Sequence, residues 1–423
     1  MMSLIMAIVF FIAMFLGAPL FMSLLLSVII PLVIIPEVPL YVVIQKIFTS
    51  LDSYSLMAIP FFMIAGSLLG KGGVSKRLVD LAEALFGWLP GGLAIVTFVA
   101  SAFFGAISGS SIATVAAIGS IMLPSLRAAG YDLKFSLATI ASAGYLGVIV
   151  PPSIPMVIYA NAANTSVGAV FAGGFIPAIL LIIAQGIYSF WYGKKYKIPT
   201  TPFKLNNVWK SFKKSILALL MPAIILGGIY SGVFTATESA AVSVIYGLFL
   251  SVFIYKEVNF KGFFDIMRSS VINSAVLMMI ISAATVAGYI LTRDRIPAMA
   301  AEWLVSFTDN TVVFMIMANI LMIVFGTFMD AAPAVQILTP ILAPALAQYG
   351  INPVAFGVIM IVNNAIGIVT PPVGLNLNVA ANLAGVSIDM TINRHLWLYM
   401  LAAIIVLILI SIFPQIIMWL PNL

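Results

Sequence analysis

The sequence predicts an all-α protein that crosses a membrane many times and contains two repeats of opposite orientation. The first observation is composition, because 63% of the 423 residues are hydrophobic and only 8% are charged. The second is that the apolar runs are continuous over about 17 to 25 residues, as in membrane-spanning helices, and do not alternate as the strands of a membrane barrel do. The third is that a proline pair and a glycine-rich interruption each occur twice, in the same order.

Residues 1–35 are apolar and are interrupted at Gly17, Ala18 and Pro19. They lack the basic region and the small-residue cleavage site of a signal peptide, so we expect them to be retained. One bent span and two short spans both fit this stretch.

Further apolar runs are long enough to cross a bilayer. They cover residues 53–70, 134–165, 168–192, 215–233, 237–255, 270–292, 352–386 and 396–420. The basic residues cluster in the short loops between runs, and the largest cluster, residues 193–214, has seven lysines and no acid. By the positive-inside rule these loops face the cytoplasm. The sequence pI of about 9.4 therefore reflects topology and does not indicate a nucleic-acid partner.

Two segments carry a polar, glycine-rich interruption at their middle. Residues 91–123 contain GAISGSS, and residues 311–343 contain GTFMDAAP. Each is expected to be a re-entrant hairpin of two half-length helices that meet at a polar tip. Irregular backbone at membrane depth is tolerated only where it is buried in protein or lines a wet cavity.

The two interruptions belong to an internal repeat. Sliding the chain along itself aligns Gly105 with Gly326, Gly147 with Gly367, and the proline pair at 151–152 with the pair at 371–372. Five predicted spans separate the two hairpins, and an odd number gives the repeats opposite orientations. Inverted repeats with paired broken helices are typical of secondary transporters, whose substrate and ion sites lie near the midplane.

Each proline pair lies inside an apolar run, in GVIVPPS and in GIVTPPV. A proline lacks an N–H and displaces the carbonyl four residues earlier, and the residue before it is pushed out of the α region. The carbonyls predicted to lose their partners are those of Gly147, Val148 and Val150 in the first repeat, and of Gly367, Ile368 and Thr370 in the second. For a single proline pair the alternative is a simple helix kink, in which water or nearby Ser and Thr side chains pair with the freed carbonyls. Because the two proline pairs align in the internal repeat, we disfavour this alternative.

A hard cation such as Na⁺ would satisfy several of these oxygens together with groups from the hairpin tips. The tips offer Ser108, Ser110 and Ser111 in the first repeat, and Thr327, Asp330 and the carbonyls of Gly326 and Met329 in the second. For Asp330 we favour an ion-binding or gating role. The chain has no Cys and one His, which excludes disulfides and the usual Cys/His metal sites and leaves little support for an enzyme.

Glu238 is an acid within an apolar run, which makes it a candidate functional residue. The spacing Thr235-x-x-Glu238 also fits a capping box at a helix start, and we favour that interpretation over ion or substrate contact. Polar residues near the breaks would suit hydrogen bonds to a sugar or an organic acid. The candidates for lining a substrate site are Pro151, Ser153, Asn161, Pro371, Asn376 and Asn378.

Four ordered motifs, SGSSIATVAAIGSIMLPSLRAAGY, GVIVPPSIPMVIYA, GVFTATESAAVSVIYG and GIVTPPVGLNLNVAA, make the chain resemble the large membrane subunit of tripartite ATP-independent periplasmic (TRAP) transporters. The resemblance covers nearly the whole chain. It implies an ion-transporter fold of the elevator type and Na⁺-coupled import of a carboxylated solute. The residues it implies for the sodium sites are Ser108, Ser110, Gly147 and Val150 for site 1, and Gly326, Met329, Gly367 and Thr370 for site 2, to which Asp330 is added as a side-chain candidate.

The resemblance also implies partners and a location. The partners are a small four-helix membrane subunit on a separate chain, a periplasmic substrate-binding protein, the lipid bilayer and an anionic small-molecule substrate. The location is the bacterial inner membrane. N-acetylneuraminate is the predicted substrate, with C4-dicarboxylates or other organic or sugar acids as alternatives. From another class, an anion channel built on the same hairpins is the competing hypothesis.

The expected organisation follows the chain, with a moving domain that carries both hairpins and a static scaffold. The predicted segments are 1–90 (N-terminal scaffold and arm helices), 91–192 (first hairpin, broken helix and following span), 193–214 (cytoplasmic basic linker), 215–310 (second scaffold segment and arm), 311–390 (second hairpin and broken helix) and 391–423 (C-terminal span).

Overall fold

A computed structural model describes residues 2–36, 38–71, 73–299, 302 and 308–422. The described residues form α-helices joined by short turns, with no strand among them. Seven helices in this part of the chain are long and apolar enough to cross a bilayer, and two bent pairs raise that number to nine. The predicted all-α, multi-pass architecture is confirmed. Within the predicted segment 215–310, residues 300, 301 and 303–307 lie outside the described residues.

The sequence allowed either one bent span or two short spans in residues 1–35. The structure has two separate helices there. They pack side by side around the turn at Gly17, whose φ is +82°. The third helix and the stretch that follows it are bent by 62°. The helices of this part are α1 (Met2–Phe15), α2 (Leu20–Ile34), α3 (Leu40–Leu51), a short 3₁₀ turn (Tyr54–Met57), α4 (Ala58–Lys71) and α5 (Val74–Phe86).

The first repeat is a helical hairpin followed by an interrupted helix and a long span. The hairpin helices are joined at Gly109 and Ser110, within the predicted tip. The bend at the proline pair is 44°. The helices are α6 (Gly92–Ser108), α7 (Ser111–Ala128), α8 (Leu133–Gly144), α9 (Leu146–Ile149), α10 (Ile154–Ala162) and α11 (Val167–Lys195).

Three long helices connect the repeats. Two of them begin about ten residues before the predicted apolar runs, because hydropathy marks only the part of a helix that suits the hydrocarbon and not its extension into the interface. The basic stretch 193–214 is accordingly helical at both ends. These helices are α12 (Leu205–Tyr230), α13 (Ala236–Phe249), which continues as a π-helical turn (Leu250–Ile254), and α14 (Phe260–Arg293).

The second repeat has the same order as the first. The predicted run 352–386 is two helices separated by an irregular segment at the second proline pair. The helices are α15 (Thr311–Phe328), α16 (Ala331–Leu346), α17 (Pro353–Gly367), α18 (Leu375–Ala384), α19 (Arg394–Ile412) and the short α20 (Gln415–Met418).

The helices pack in two groups. One contains both hairpins, both interrupted helices, α11 and α19, and the other contains α1 to α5 and α12 to α14. The groups meet mainly where α4 and α5 pack on α6 and where α14 packs on α16. Most of the largest fully buried side chains, including Phe98, Phe135 and Tyr399, lie in the first group, while Phe62 of α4 and Leu32 of α2 lie in the second. The first group therefore has the more tightly packed interior, and it holds both proline pairs.

Candidate functional site

The first helix break has the backbone form that the proline pair predicts. Val150, the residue before Pro151, is extended with φ −75° and ψ 125°. The helix resumes at Ile154, and Ser153 before it is also extended. Both proline pairs contain a cis peptide bond. The break leaves a segment of non-helical backbone buried inside the protein.

The tip of the first hairpin lies directly against this break. A Cβ atom added to Gly105 would lie 2.8 Å from the Cα of Gly147. A Cβ added to Gly147 would lie 2.5 Å from the carbonyl oxygen of Ser110. Only glycine permits this approach, since real side chains do not come so close to backbone. The repeat thus pairs its own hairpin tip with its own broken helix.

Three oxygen atoms gather at this contact. The Ser108 and Thr114 hydroxyl oxygens lie 3.2 Å apart, and the Thr114 hydroxyl donates to the Ser110 carbonyl at 2.8 Å. Ser108 is 5% exposed and Thr114 is fully buried. Sequence reasoning omitted Thr114, although its position one turn after the tip serines in GSSIAT was the available signal. Hydroxyl and carbonyl oxygens in such a group suit a hard monovalent cation such as Na⁺.

The second repeat makes the same backbone contact. A Cβ added to Gly367 would lie 2.7 Å from the Cα of Gly326. Gly326 and Gly367 are the residues that the repeat aligns with Gly105 and Gly147. The contact between hairpin and break therefore occurs at equivalent positions in both halves of the molecule.

The side chains around the second contact differ from those around the first. The Asn364 side chain is fully buried and donates through Nδ2 to the Met360 carbonyl, while its Oδ1 has no hydrogen-bond partner. That oxygen would lie 3.2 Å from a Cβ on Gly326, so it faces the tip. An unpaired buried amide oxygen is costly, and a cation at this position would satisfy it. The ligands predicted for site 2 did not include Asn364.

Other predicted members of the second site have partners within the protein. Asp330 is half-buried, and its Oδ1 accepts from the Ala331 N–H at 2.8 Å as the N-cap of α16. The Thr370 hydroxyl donates to the Ile366 carbonyl at 2.9 Å. Met329 is extended and buried between the hairpin helices. The side chains of Asp330 and Thr370 are therefore already hydrogen-bonded to nearby backbone groups, and Met329 lies at the tip with extended backbone.

The prediction that the breaks leave a full set of unpaired carbonyls is wrong in part. The Val148 carbonyl accepts from the Ser153 hydroxyl. The Gly367 carbonyl accepts from the Thr370 N–H at 2.8 Å. The Ile368 carbonyl likewise accepts from the Asn376 N–H, at 3.4 Å. The chain turns sharply after each break and brings donors back to the freed oxygens. A carbonyl has two lone pairs, so each can still contact a cation.

The predicted substrate-lining residues are found in three kinds of place. Pro151 is buried and Pro371 half-buried, both at the breaks. Asn378 is exposed and donates to the Val373 carbonyl at 2.8 Å, while Asn161 is half-buried and accepts from the Ser53 hydroxyl at 2.8 Å. The Ser53 contact joins the first repeat to the stretch before α4.

The buried Asn376 side chain connects the two repeats. Its Nδ2 donates to the Ser111 hydroxyl at 2.8 Å and to the Ala141 carbonyl at 3.1 Å. Asn376 lies in the second repeat, whereas Ser111 and Ala141 lie in the first. These bonds join the break of one repeat to the hairpin of the other.

Glu238 lies apart from both hairpin contacts. Its carboxylate accepts from the Thr235 N–H at 2.7 Å, and the Glu238 N–H donates to the Thr235 hydroxyl at 3.2 Å. This is a complete capping box at the start of α13. Within the described residues no group of three His, Cys, Asp or Glu side chains could hold a metal ion.

Comparisons with known proteins identify the family of the chain. The family model "Tripartite ATP-independent periplasmic transporter, DctM component" matches residues 7–416. The isethionate TRAP transporter permease protein DctMQ of Oleidesulfovibrio alaskensis is 42% identical over 88% of this chain, which spans 59% of that longer protein. The C4-dicarboxylate TRAP transporter large permease protein DctM of Pseudomonas aeruginosa is 39% identical over 89% of this chain and 88% of its own.

The sialic acid TRAP transporter large permease protein SiaM of Vibrio cholerae is 37% identical over 90% of this chain and 89% of its own. Among solved structures, the YdaH transporter of Alcanivorax borkumensis has a TM-score of 0.58 at 17% identity, over 87% of this chain and 88% of that one. This likeness concerns the fold alone. The family match and the relatives establish that the chain belongs to the DctM component family of tripartite ATP-independent periplasmic transporters, as a large membrane subunit and not an enzyme.

Proposed function

We propose that this chain is the membrane subunit of a Na⁺-coupled transporter that imports an organic acid across the bacterial inner membrane. In this proposal a periplasmic binding protein delivers the substrate, and a small four-helix membrane subunit on a separate chain completes the complex. One observation carries the proposal, namely the repeated glycine-to-glycine contact that places each hairpin tip against its own broken helix.

The support for cation binding is the kind of atom at the two contacts. Site 1 combines the hydroxyls of Ser108 and Thr114 with the Ser110 carbonyl. Site 2 has the unpaired amide oxygen of Asn364 and backbone of Gly326 and Gly367. Neutral oxygen ligands at broken helices are the arrangement that Na⁺-coupled transporters use.

The support for an elevator mechanism is the distribution of contacts. Asn376 ties the second repeat to the first, so the two hairpins and two breaks are expected to move as one body. The group of α1 to α5 and α12 to α14 touches this body along a limited set of helices. In the proposal, an anion and the cations that balance its charge cross together, because moving either alone across the low-dielectric region is costlier.

The substrate is proposed to be a small organic anion. Relatives of similar identity are named for isethionate, C4-dicarboxylates and sialic acid, and these share an acidic group on a polar body. N-acetylneuraminate is the prediction from the sequence, and the other two classes are its direct competitors.

The test is uptake by the complete transporter in proteoliposomes. The chain is reconstituted with its small subunit and binding protein, and labelled N-acetylneuraminate, succinate and isethionate are offered separately. We expect saturable uptake of one of them under an inward Na⁺ gradient, and none under an equal K⁺ gradient. Equal uptake under the Na⁺ and K⁺ gradients would refute the coupling to Na⁺. Flux that does not saturate and needs no binding protein would favour the anion channel.

A further inference from the structure

A polar cavity of about 270 Å³ lies between α5 and the start of α12. Its lining includes Asp80 and Glu83 from α5, and Lys204 and Lys210 from the basic stretch. The Thr201 N–H donates to the Gly87 carbonyl at 3.2 Å, which ties the basic stretch to the end of α5 beside the cavity. The positive-inside rule places this side of the protein in the cytoplasm. The cavity is remote from the hairpin tips and plays no part in the proposed ion sites.

Acidic and basic side chains line the same cavity without neutralising one another. Asp80 and Glu83 are three residues apart on one helix and therefore share a face. Lys204 and Lys210 line the opposite wall. Neither acid forms an ion pair with a described basic residue, whereas Arg77 on the same helix does pair with Glu257. The cavity thus presents an acidic wall and a basic wall with space between them.

Glu83 is the member of the acidic wall whose charge is disfavoured. Burial raises the pKa of the half-buried Glu83, and the neighbouring Asp80 carboxylate raises it further. Both effects disfavour the charged form of Glu83. A positively charged group placed beside the two carboxylates would remove the repulsion between them.

The surroundings of the cavity have the residue types that are typical of a membrane surface. At its rim the Trp88 and Phe203 rings pack edge to face with centroids 6.2 Å apart, and they are 47% and 53% exposed. Along the first turns of α12, Leu205 and Trp209 are 73% and 56% exposed. Aromatic residues and snorkelling lysines concentrate at the headgroup level of a bilayer. This part of α12 therefore turns an apolar stripe outward and a polar stripe toward α5.

We propose that this cavity binds the headgroup of phosphatidylethanolamine from the cytoplasmic leaflet. The ammonium group donates to the carboxylates of Asp80 and Glu83, and the phosphate accepts from Lys204 and Lys210. Charge-assisted hydrogen bonds of this kind are about twice as strong as neutral ones. The acyl chains leave past the rim at Trp88. The bound lipid joins α5 to the basic stretch that connects the two halves of the chain.

The test is lipid binding by the full chain, measured by native mass spectrometry after delipidation. Three probes separate the chemistry, since phosphatidylethanolamine has an ammonium with N–H donors, phosphatidylcholine has a cation without them, and phosphatidylglycerol has no cation. We expect phosphatidylethanolamine to bind about tenfold more tightly than phosphatidylcholine, the size of one charge-assisted hydrogen bond. The double variant Asp80→Asn, Glu83→Gln is expected to abolish that preference.

Matched variants control for charge alone. Asp265→Asn removes an exposed acid of α14, and Lys213→Gln removes a lysine that lies over the Trp209 ring and not in the cavity. Both should keep the preference, whereas Lys210→Gln should weaken binding of phosphatidylethanolamine and phosphatidylglycerol together. Equal affinity for the ethanolamine and choline lipids would overturn the proposal. So would competition by free glycerophosphoethanolamine as strong as that by the whole lipid, or displacement of the lipid by the small membrane subunit.

Discussion

The Gly147→Ala substitution examines the contact between the first hairpin tip and its broken helix. The new methyl group would meet the Thr114 hydroxyl and would lie 2.5 Å from the Ser110 carbonyl oxygen. Both atoms belong to the proposed ion site, so the methyl group must displace ligands to be accommodated. Overpacking of this kind costs about 1–3 kcal/mol. If that strain falls on the ion-bound form, it weakens the apparent Na⁺ affinity roughly five- to 150-fold.

The assay needs no knowledge of the substrate. The thermal midpoint of the purified chain is followed as NaCl replaces choline chloride at constant ionic strength, because a ligand that binds only the folded state raises the midpoint with its concentration. Gly186→Ala is the matched control, since a methyl group at Gly186 in α11 meets no atom within 4 Å. We expect the Na⁺ response of Gly147→Ala to shift to higher concentration and that of Gly186→Ala to match the unmodified chain.

Superimposable Na⁺ titrations of Gly147→Ala and Gly186→Ala would refute the assignment of site 1. If Gly147→Ala does not fold, Thr114→Val makes the same test, because it removes a hydroxyl without adding bulk. Its Na⁺ response should weaken by about tenfold, as expected for loss of one ligand in a buried site.

Four further substitutions address other parts of the molecule. Asn364→Ala removes the unpaired amide oxygen of site 2 and should weaken the Na⁺ response while leaving stability in choline within about 1 kcal/mol, measured by the same titration. Asn376→Ala removes the buried hydrogen bonds between the repeats and should lower the free energy of unfolding by about 1–3 kcal/mol. Asn378→Ala, at an exposed position, should change it little. Equal denaturation midpoints for the two variants would contradict a stabilising role of these hydrogen bonds. Ser153→Ala leaves the Val148 carbonyl without its donor, so it should lower the thermal midpoint at every Na⁺ concentration. Arg77→Ala removes a partly exposed ion pair and a guanidinium 3.9 Å from a tyrosine ring centroid, and increased proteolysis near α5 would report the expected loosening.

The order of the helices could be predicted because membrane-spanning helices carry a strong hydropathy signal. Hydropathy could not decide between one bent helix and two separate helices in residues 1–35. It reports whether a segment prefers hydrocarbon to water and does not report which helix the segment packs against. It also missed the start of α12 at Leu205, because the interfacial turns of that helix carry lysines. Helix ends outside the hydrocarbon depend on capping and on amphipathic contacts, which a hydropathy window averages away.

The candidate site could be predicted at the level of backbone. The glycines at 105, 147, 326 and 367 align in the repeat, and the structure brings them together in pairs. The side chains around these backbone contacts were harder to predict. Thr114 reaches the first tip only because helix α7 starts at Ser111, and Ser153 satisfies the Val148 carbonyl only because the chain folds back after the prolines. Such contacts depend on helix phase and on rotamers, neither of which a motif specifies.

Among the aligned positions at which the two halves differ, one changes the side-chain surroundings of both proposed ion sites. The repeat aligns Asn364 with Gly144. A Cβ at Gly144 would lie 2.9 Å from Asn376 Nδ2, so the missing side chain in the first repeat makes room for an asparagine from the second. Asn376 fills that space and holds Ser111 next to the first tip, whereas Asn364 keeps its own oxygen free to face the second tip. The same backbone contact thus occurs with different side chains in the two repeats. At proposed site 1 an asparagine of the opposite repeat bonds to Ser111, and at proposed site 2 the amide oxygen comes from the same repeat. For this reason the loss of Asn376 should disturb the first site together with the contact between repeats, while the loss of Asn364 should affect the second site alone.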